Sequence, residues 1–113
     1  LRIIQEQVPG NQISLAHIIG GPQPIIYQKL GLNPDIDYDG AAIGILTVVP
    51  YESSIIAADI ATKAADIYLG FVDRFSGTLI ITGELAEVTT AVDEIVRYFR
   101  DEMGFAACRI TKR

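Results

Sequence analysis

The stretch from Ile55 to Gly83 leaves the chain few ways to fold, because it joins a helix of very small side chains to two apolar strands that do not alternate. Ala57, Ala58, Ala61, Ala64 and Ala65 give the helix little bulk, while Ile56 and Ile60, at i and i+4, share one face. A helix of that kind can lie very close to a sheet. Residues 67–72 and 78–82 are rich in β-branched and aromatic side chains and are bounded by Gly77 and Gly83, so they read as a hairpin. Neither strand alternates apolar with polar. Both faces are therefore expected to be covered, one by helices of the same chain and the other by further chain or a neighbouring subunit. Only the tip, Asp73-Arg74-Phe75-Ser76-Gly77, brings charge and an aromatic ring together.

The rest of the chain supplies partners for that unit. Residues 2–8 look extended and are cut off by the turn signal Pro9-Gly10-Asn11, which predicts an N-terminal β arm over 1–10 and a single domain over 11–113. Ile3, Ile4 and Val8 are costly to leave in water, and an arm that pairs with copies of itself would hide them. Ile13 to Ile19 reads as a strand, and Pro24 to Leu30 as a short helix with Gly31 as its C-terminal cap. Ala41 to Val49 is an apolar strand ended by Pro50, after which Glu52 and Ser53 open the alanine-rich helix. Beyond Gly83, Val88, Ala91, Val92, Ile95, Phe99 and Met103 fall on one helical stripe. Asp93–Arg97 and Arg97–Asp101 stand at i, i+4 on its other face, as expected of solvated ion pairs. Gly104 ends this helix and Phe105 to Thr111 reads as a last strand. From Ala41 onward the order is strand, helix, strand, strand, helix, strand, the α+β arrangement called split βαβ, with an antiparallel-rich sheet.

At 113 residues with half of them hydrophobic and only 20% charged, the chain has little polar surface for a monomer, which points to an oligomer. A net charge of −5 with scattered basic residues argues against nucleic acid as a partner. No window approaches the length of a membrane span, and the first residues have no signal-peptide pattern, so a soluble cytoplasmic protein without a membrane partner is expected. Cys108 stands alone, with no cysteine to pair with, and its apolar neighbours suggest a buried strand thiol. His17, the one histidine, reads as a hydrogen-bonded structural residue. Asp35, Asp37 and Asp39 alternate as in a calcium loop but lack the glycine and distal glutamate of an EF-hand, so they read as a solvated linker. Ser53, Ser54 and Ser76 have no histidine nearby in sequence, and the glycines match no nucleotide-binding fingerprint. Catalytic, metal and cofactor roles therefore find no support, and binding or assembly is left.

Several segments in register carry a family resemblance. The run from Ile56 to Asp66, then 68–77, then Gly83-Glu-Leu-Ala-Glu-Val88, resembles the first helix, pore hairpin and second helix of bacterial microcompartment shell proteins. Arg2 to Gly10, Leu15 to Ile19, Ala42 to Thr47 and Gly70 to Gly77 resemble the circularly permuted EutS/PduU branch of that family. The resemblance covers most of the chain. It implies a single, circularly permuted BMC domain that forms a homohexamer and packs edge to edge with other shell proteins around enzymes that handle an aldehyde. Ethanolamine, propanediol and choline utilisation are the pathways of that branch.

It also implies roles for particular residues. Asp73, Arg74, Phe75, Ser76 and Gly77 would surround a central pore, and Ile3, Ile4, Gln5, Glu6, Gln7 and Val8 would be staves of a barrel capping it. Lys63 would sit at the tile edge. The companion edge arginine is open: the position falls on Gly21 if residues 15–22 are the counterpart of the family's last strand, and on Arg113 if the C-terminal strand is. A different class of function, an oligomeric small-ligand-binding regulatory module with a ferredoxin-like fold, fits the same element order.

Overall fold

A computed structural model of the chain describes residues 10–22, 26, 29–31 and 41–113. Within them the elements are β1 (Gln12–Gly20), β2 (Ala42–Val49), α1 (Ser53–Ala64), β3 (Tyr68–Asp73), β4 (Thr78–Gly83), α2 (Leu85–Asp101), β5 (Ala106–Ala107) and β6 (Thr111–Lys112). The order expected from Ala41 onward is the order found. Of the short helix expected at 24–30, the described residues Ile26 and Lys29 are helical, and the Leu30 amide donates to the Ile26 carbonyl at 3.0 Å. Gly31 follows at φ 72°, as a helix C-terminal cap requires. The N-terminal arm at 2–8 and the aspartate-rich linker at 33–39 lie outside the described residues.

The sheet runs β3-β4-β2-β1-β5, with β6 also on β1. Every pairing from β3 through β1 is antiparallel, whereas β5 and β6 lie parallel to β1. In a split βαβ unit the last strand would lie antiparallel beside the first, here β2. That place is taken by β1, which enters from the other end of the chain and displaces the C-terminal strands one position outward. The sheet is therefore a split βαβ whose final strand has been moved to the front, the geometry of a circular permutation. Which terminal segment takes the outer edge, open in the sequence, is decided: the C-terminal one does.

The final strand is shorter than expected. Instead of one run from Phe105 to Thr111 there are two two-residue pieces, and both hold the same register on β1: Ile13 faces Ala107 and His17 faces Thr111. Between them β1 bulges, as its register against β2 shifts between Ile13 and Leu15. The extra residue twists the strand and interrupts its ladder with the outer neighbour. Cys108 falls in that gap. It is half-buried rather than a buried strand thiol, although its amide still donates to the Ile13 carbonyl at 3.1 Å.

Both helices cover one face of the sheet. Val88, Ala91, Val92, Ile95, Val96 and Phe99 are the buried stripe of α2, matching the expected period, and Phe99 meets Phe105 edge to face at 4.9 Å. α2 approaches closely because β2 carries Gly44 beneath it. A Cβ there would stand 3.0 Å from both Ile81 and Val88 side-chain carbons. α1 turns its small residues inward: Ser53, Ser54, Ala57, Ala58 and Ala61 are buried, while Ile55 and Ile56 remain 52% and 42% exposed. Its aliphatic face thus points largely away from this chain's core. The charges on α2 also pair differently from the i, i+4 expectation. Arg97 donates to Glu94 at 2.8 and 2.9 Å, one turn back at i−3, and Arg100 to Asp101. Guanidinium and carboxylate align as a fork in this i, i+3 geometry. These pairs are solvated, as expected.

Candidate assembly surface and pore hairpin

The tip between β3 and β4 is a closed turn built on Asp73. One carboxylate oxygen accepts from the Phe75 amide at 2.8 Å and the other from the Ser76 hydroxyl at 2.9 Å, while the Asp73 carbonyl accepts from the Gly77 amide at 2.8 Å. This is the local bonding by which aspartate stabilises turns. The tip is also docked onto the domain. Gly77 offers its carbonyl to the Val48 amide at 2.9 Å, and Ser54, fully buried at the start of α1, donates its hydroxyl to the Asp73 carbonyl at 3.3 Å. Ser54 is thus a structural hydroxyl, which accounts for its lack of a histidine.

With Asp73 engaged by its own loop, the groups left outermost are Phe75, 76% exposed, and Arg74, whose guanidinium lies over the Phe75 ring at 4.7 Å. All five tip residues named from the sequence are brought together. The Asp73 carboxyl is held below its ordinary value, first by the Phe75 amide and next by the Ser76 hydroxyl; the Ser76 amide and the Arg74 charge act the same way, and desolvation opposes them. A depressed folded pKa means that the bonds holding this turn are complete above the unfolded carboxylate value of about 4. They are expected to be lost as pH falls through the folded value. An NMR titration should show the Phe75 amide shifting only in that acid range, and a shift nearer neutrality would contradict the bonding described.

Among the described residues β3 forms the free edge of the sheet, and it is apolar on both faces. Tyr68 and Phe71, aligned with Thr82 and Ile80, lie on the face away from the helices, and Leu69 and Val72, aligned with Ile81 and Leu79, lie on the helix face. The switch is made at Gly70, where the register shifts. All four remain between 38% and 56% exposed. Tyr51, Ile55 and Ile56 are exposed as well, which adds to the apolar surface this chain leaves in water. The sequence reading expected both hairpin strands to be covered. Among the described residues β4 is, with Leu79 to Thr82 buried, and β3 is not.

Lys63 lies in the last turn of α1, about 14 Å along the helix axis from Ser54 at 1.5 Å per residue. The hairpin tip and the residue named as tile edge therefore stand at opposite ends of one helix. Lys63 Nζ donates to Asp59 Oδ2 at 2.9 Å, a partner that the i, i+4 spacing could have revealed and the reading missed. His17 Nδ1 shares a short hydrogen bond with the Thr111 hydroxyl, so it ties β1 to β6, as a structural histidine should. Among the described residues no group of three or more His, Cys, Asp or Glu is placed to hold a metal ion. No helix among them is long and apolar enough to cross a membrane.

A permuted split βαβ sheet with an open apolar edge and a docked, charged hairpin tip defines an assembly module, and residues 42–111 match the family described as the BMC domain. The chain belongs to that family, the shell proteins of bacterial microcompartments. Over 111 residues, 98% of this chain, it is 47% identical to the bacterial microcompartment shell protein CutR of Streptococcus intermedius, 91% of which is covered. It is 45% identical to the shell protein PduU of Salmonella typhimurium and 43% identical to EutS of Escherichia coli strain K12, each over 98% of this chain and 92% and 96% of those proteins. A solved CutR flat hexamer superposes with a TM-score of 0.85 at 45% identity, covering 99% of this chain and 92% of that one. A fused permuted hexameric shell protein of an RMM microcompartment shares the fold, with a TM-score of 0.63 at 23% identity over 74% of this chain and 44% of that one.

Proposed function

We propose that this chain is a structural tile of a microcompartment shell, a ring of six copies with no chemistry of its own. The observation that carries the proposal is the open edge at β3. Four apolar side chains on both faces of an edge strand, with Ile55 and Ile56 of α1 also exposed, are too much apolar surface for a free monomer and suit a flanking subunit. The similarity to a CutR flat hexamer supports six as the number of copies. No observation favours a small-ligand regulatory module.

Around the ring axis the tip Asp73 to Gly77 would line a pore whose reachable groups are Arg74 and Phe75. Residues 1–10 would form the separate arm, with Ile3 to Val8 as barrel staves over that pore, and 11–113 the tile itself. Lys63 would face the next tile. With β1 in the place of the last strand of the split βαβ, Gly21 rather than Arg113 would correspond to the family's edge arginine, and Lys63 would then carry more of the lateral contact. Other shell proteins would join edge to edge, and enzymes acting on an aldehyde would lie within.

Mass in solution and imaging of the purified protein test this. A discrete sixfold ring that grows into sheets is expected, and a dimer or trimer would overturn it. Lys63→Ala should leave the ring intact and raise the concentration needed for sheets; unchanged sheets would remove Lys63 from the edge. Images of rings lacking residues 1–8 should show the axial face opened, and an unchanged axial face would remove the arm from it.

A further inference from the structure

α1 is bonded to the hairpin tip at one end and carries Lys63 at the other, and little locks it in place between them. Its fully buried residues, Ser53, Ser54, Ala57, Ala58 and Ala61, are all serine or alanine, and the larger Ile60 is only partly buried. A face without large side chains has no ridges to lock into the grooves of its neighbour, so a small shift along the helix axis meets little steric resistance. Where the chain leaves α1, it is tied to α2 through a side chain, the Glu87 carboxylate accepting from the Asp66 amide at 2.8 Å. Such a tether can follow the helix. Among the described residues the Ser54 hydroxyl makes the only side-chain hydrogen bond from α1 to another element, donating to the Asp73 carbonyl at 3.3 Å. That is about half an ångström longer than a well-made bond between a hydroxyl and an oxygen. The same carbonyl accepts from the Gly77 amide, the bond that closes the tip.

We propose that α1 acts as a rod coupling contacts at its Lys63 end to the tightness of the hairpin tip, through the bond between Ser54 and Asp73. The inference rests on the shell-tile reading above, in which Lys63 faces the next tile and the tip faces the ring axis. A neighbour at the far end holds the helix at one axial position. Because the Ser54 bond is stretched, a shift of roughly a few tenths of an ångström toward the tip completes it and draws Asp73 onto α1. A shift the other way releases it. Sheets thus hold the tip closed, whereas free rings leave it looser. Linkage makes the effect reciprocal: a tip that cannot hold Ser54 weakens association at the edge by the same factor by which association tightens the tip.

Hydrogen exchange of residues 73–78, followed by mass spectrometry on the full chain as rings and as sheets, tests the coupling. The Phe75 and Gly77 amides should exchange about fivefold or more slowly in sheets. A neighbour at the edge does not cover these amides itself, since the tip stands at the other end of the helix. In Ser54→Ala the helix start stays as small and the Gly77 amide keeps its acceptor, so the variant should fold and form rings. Its tip should exchange equally in rings and sheets, and its sheets should need a concentration raised by the factor lost at the tip. A Ser54 that merely braces the tip would loosen it in both forms and leave the difference between them. Equal exchange in wild-type rings and sheets, a difference that survives in Ser54→Ala, or rings that never grow into sheets would overturn the coupling. Wild-type protein that forms no ring would overturn the tile reading itself.

Discussion

Gly77→Ala is expected to destabilise the fold by about 3 kcal/mol or more, and to lower the melting temperature by roughly 10–20 °C for a domain of this size. Two independent costs meet at this residue. Its φ of 75° belongs to the left-handed region, where a Cβ costs about 1–2 kcal/mol. The Cβ would also stand 2.2 Å from the Val48 carbonyl oxygen, backbone of β2 that cannot rotate aside, and 3.2 Å from the Tyr51 Cα. Relief requires the tip to lift off β2, which would break the hydrogen bond from the Val48 amide to the Gly77 carbonyl and disturb the Ser54–Asp73 contact. Urea or thermal unfolding followed by circular dichroism checks this. A variant within about 1 kcal/mol of wild type would show that the tip is not docked as described. Arg74→Ala, at the exposed side of the same turn, serves as the control expected to leave stability nearly unchanged.

The second large effect concerns assembly rather than folding. Phe71→Asp should leave the chain folded and abolish the ring, so that sedimentation finds single chains at concentrations where wild type is assembled. Phe71 is 45% exposed in the isolated chain, so a carboxylate there remains in water and costs the fold little. Buried against a second copy it would lose that water without gaining a partner, at about 2–5 kcal/mol per interface, or roughly a thirtyfold to several-thousandfold weaker contact. A closed ring repeats the penalty at every junction. Leu69→Asp, on the opposite face of β3, tests whether both faces are covered. If Phe71→Asp still sediments as a ring of six, β3 is not the subunit border and the proposal loses the observation it rests on.

What could be read before any coordinates was what repeats locally. The stripe from Val88 to Phe99 follows the 3.6-residue helical period, and the buried face of α2 is that stripe with Val96 added. The glycine-bounded hairpin and its tip were equally legible, since turn chemistry is a property of a few adjacent residues. Interactions set by geometry were not. Arg97 chose Glu94, although two aspartates stood at the standard spacing. The small residues of α1 pointed to close packing on a sheet, and its alanines and serines are what the sheet accepts, because a helix this close has room only for small side chains. The role of Asp73 also escaped. In the folded tip its oxygens are engaged by the loop's own donors.

By itself, then, the sequence determined the two long helices and the four long strands, that the hairpin ends in a charged aromatic tip, and which family the chain resembles. Each of these depends on neighbours a few positions apart. Only the tertiary structure decided that β1 enters between β2 and the C-terminal strands, that β3 is left uncovered by the described residues, and that the tip is held down by Val48 and Ser54. The pairing of His17 with Thr111 joins residues 94 positions apart. No local period encodes such a pairing; it follows from which arrangement of the whole sheet buries the most apolar surface while leaving the fewest backbone groups without partners.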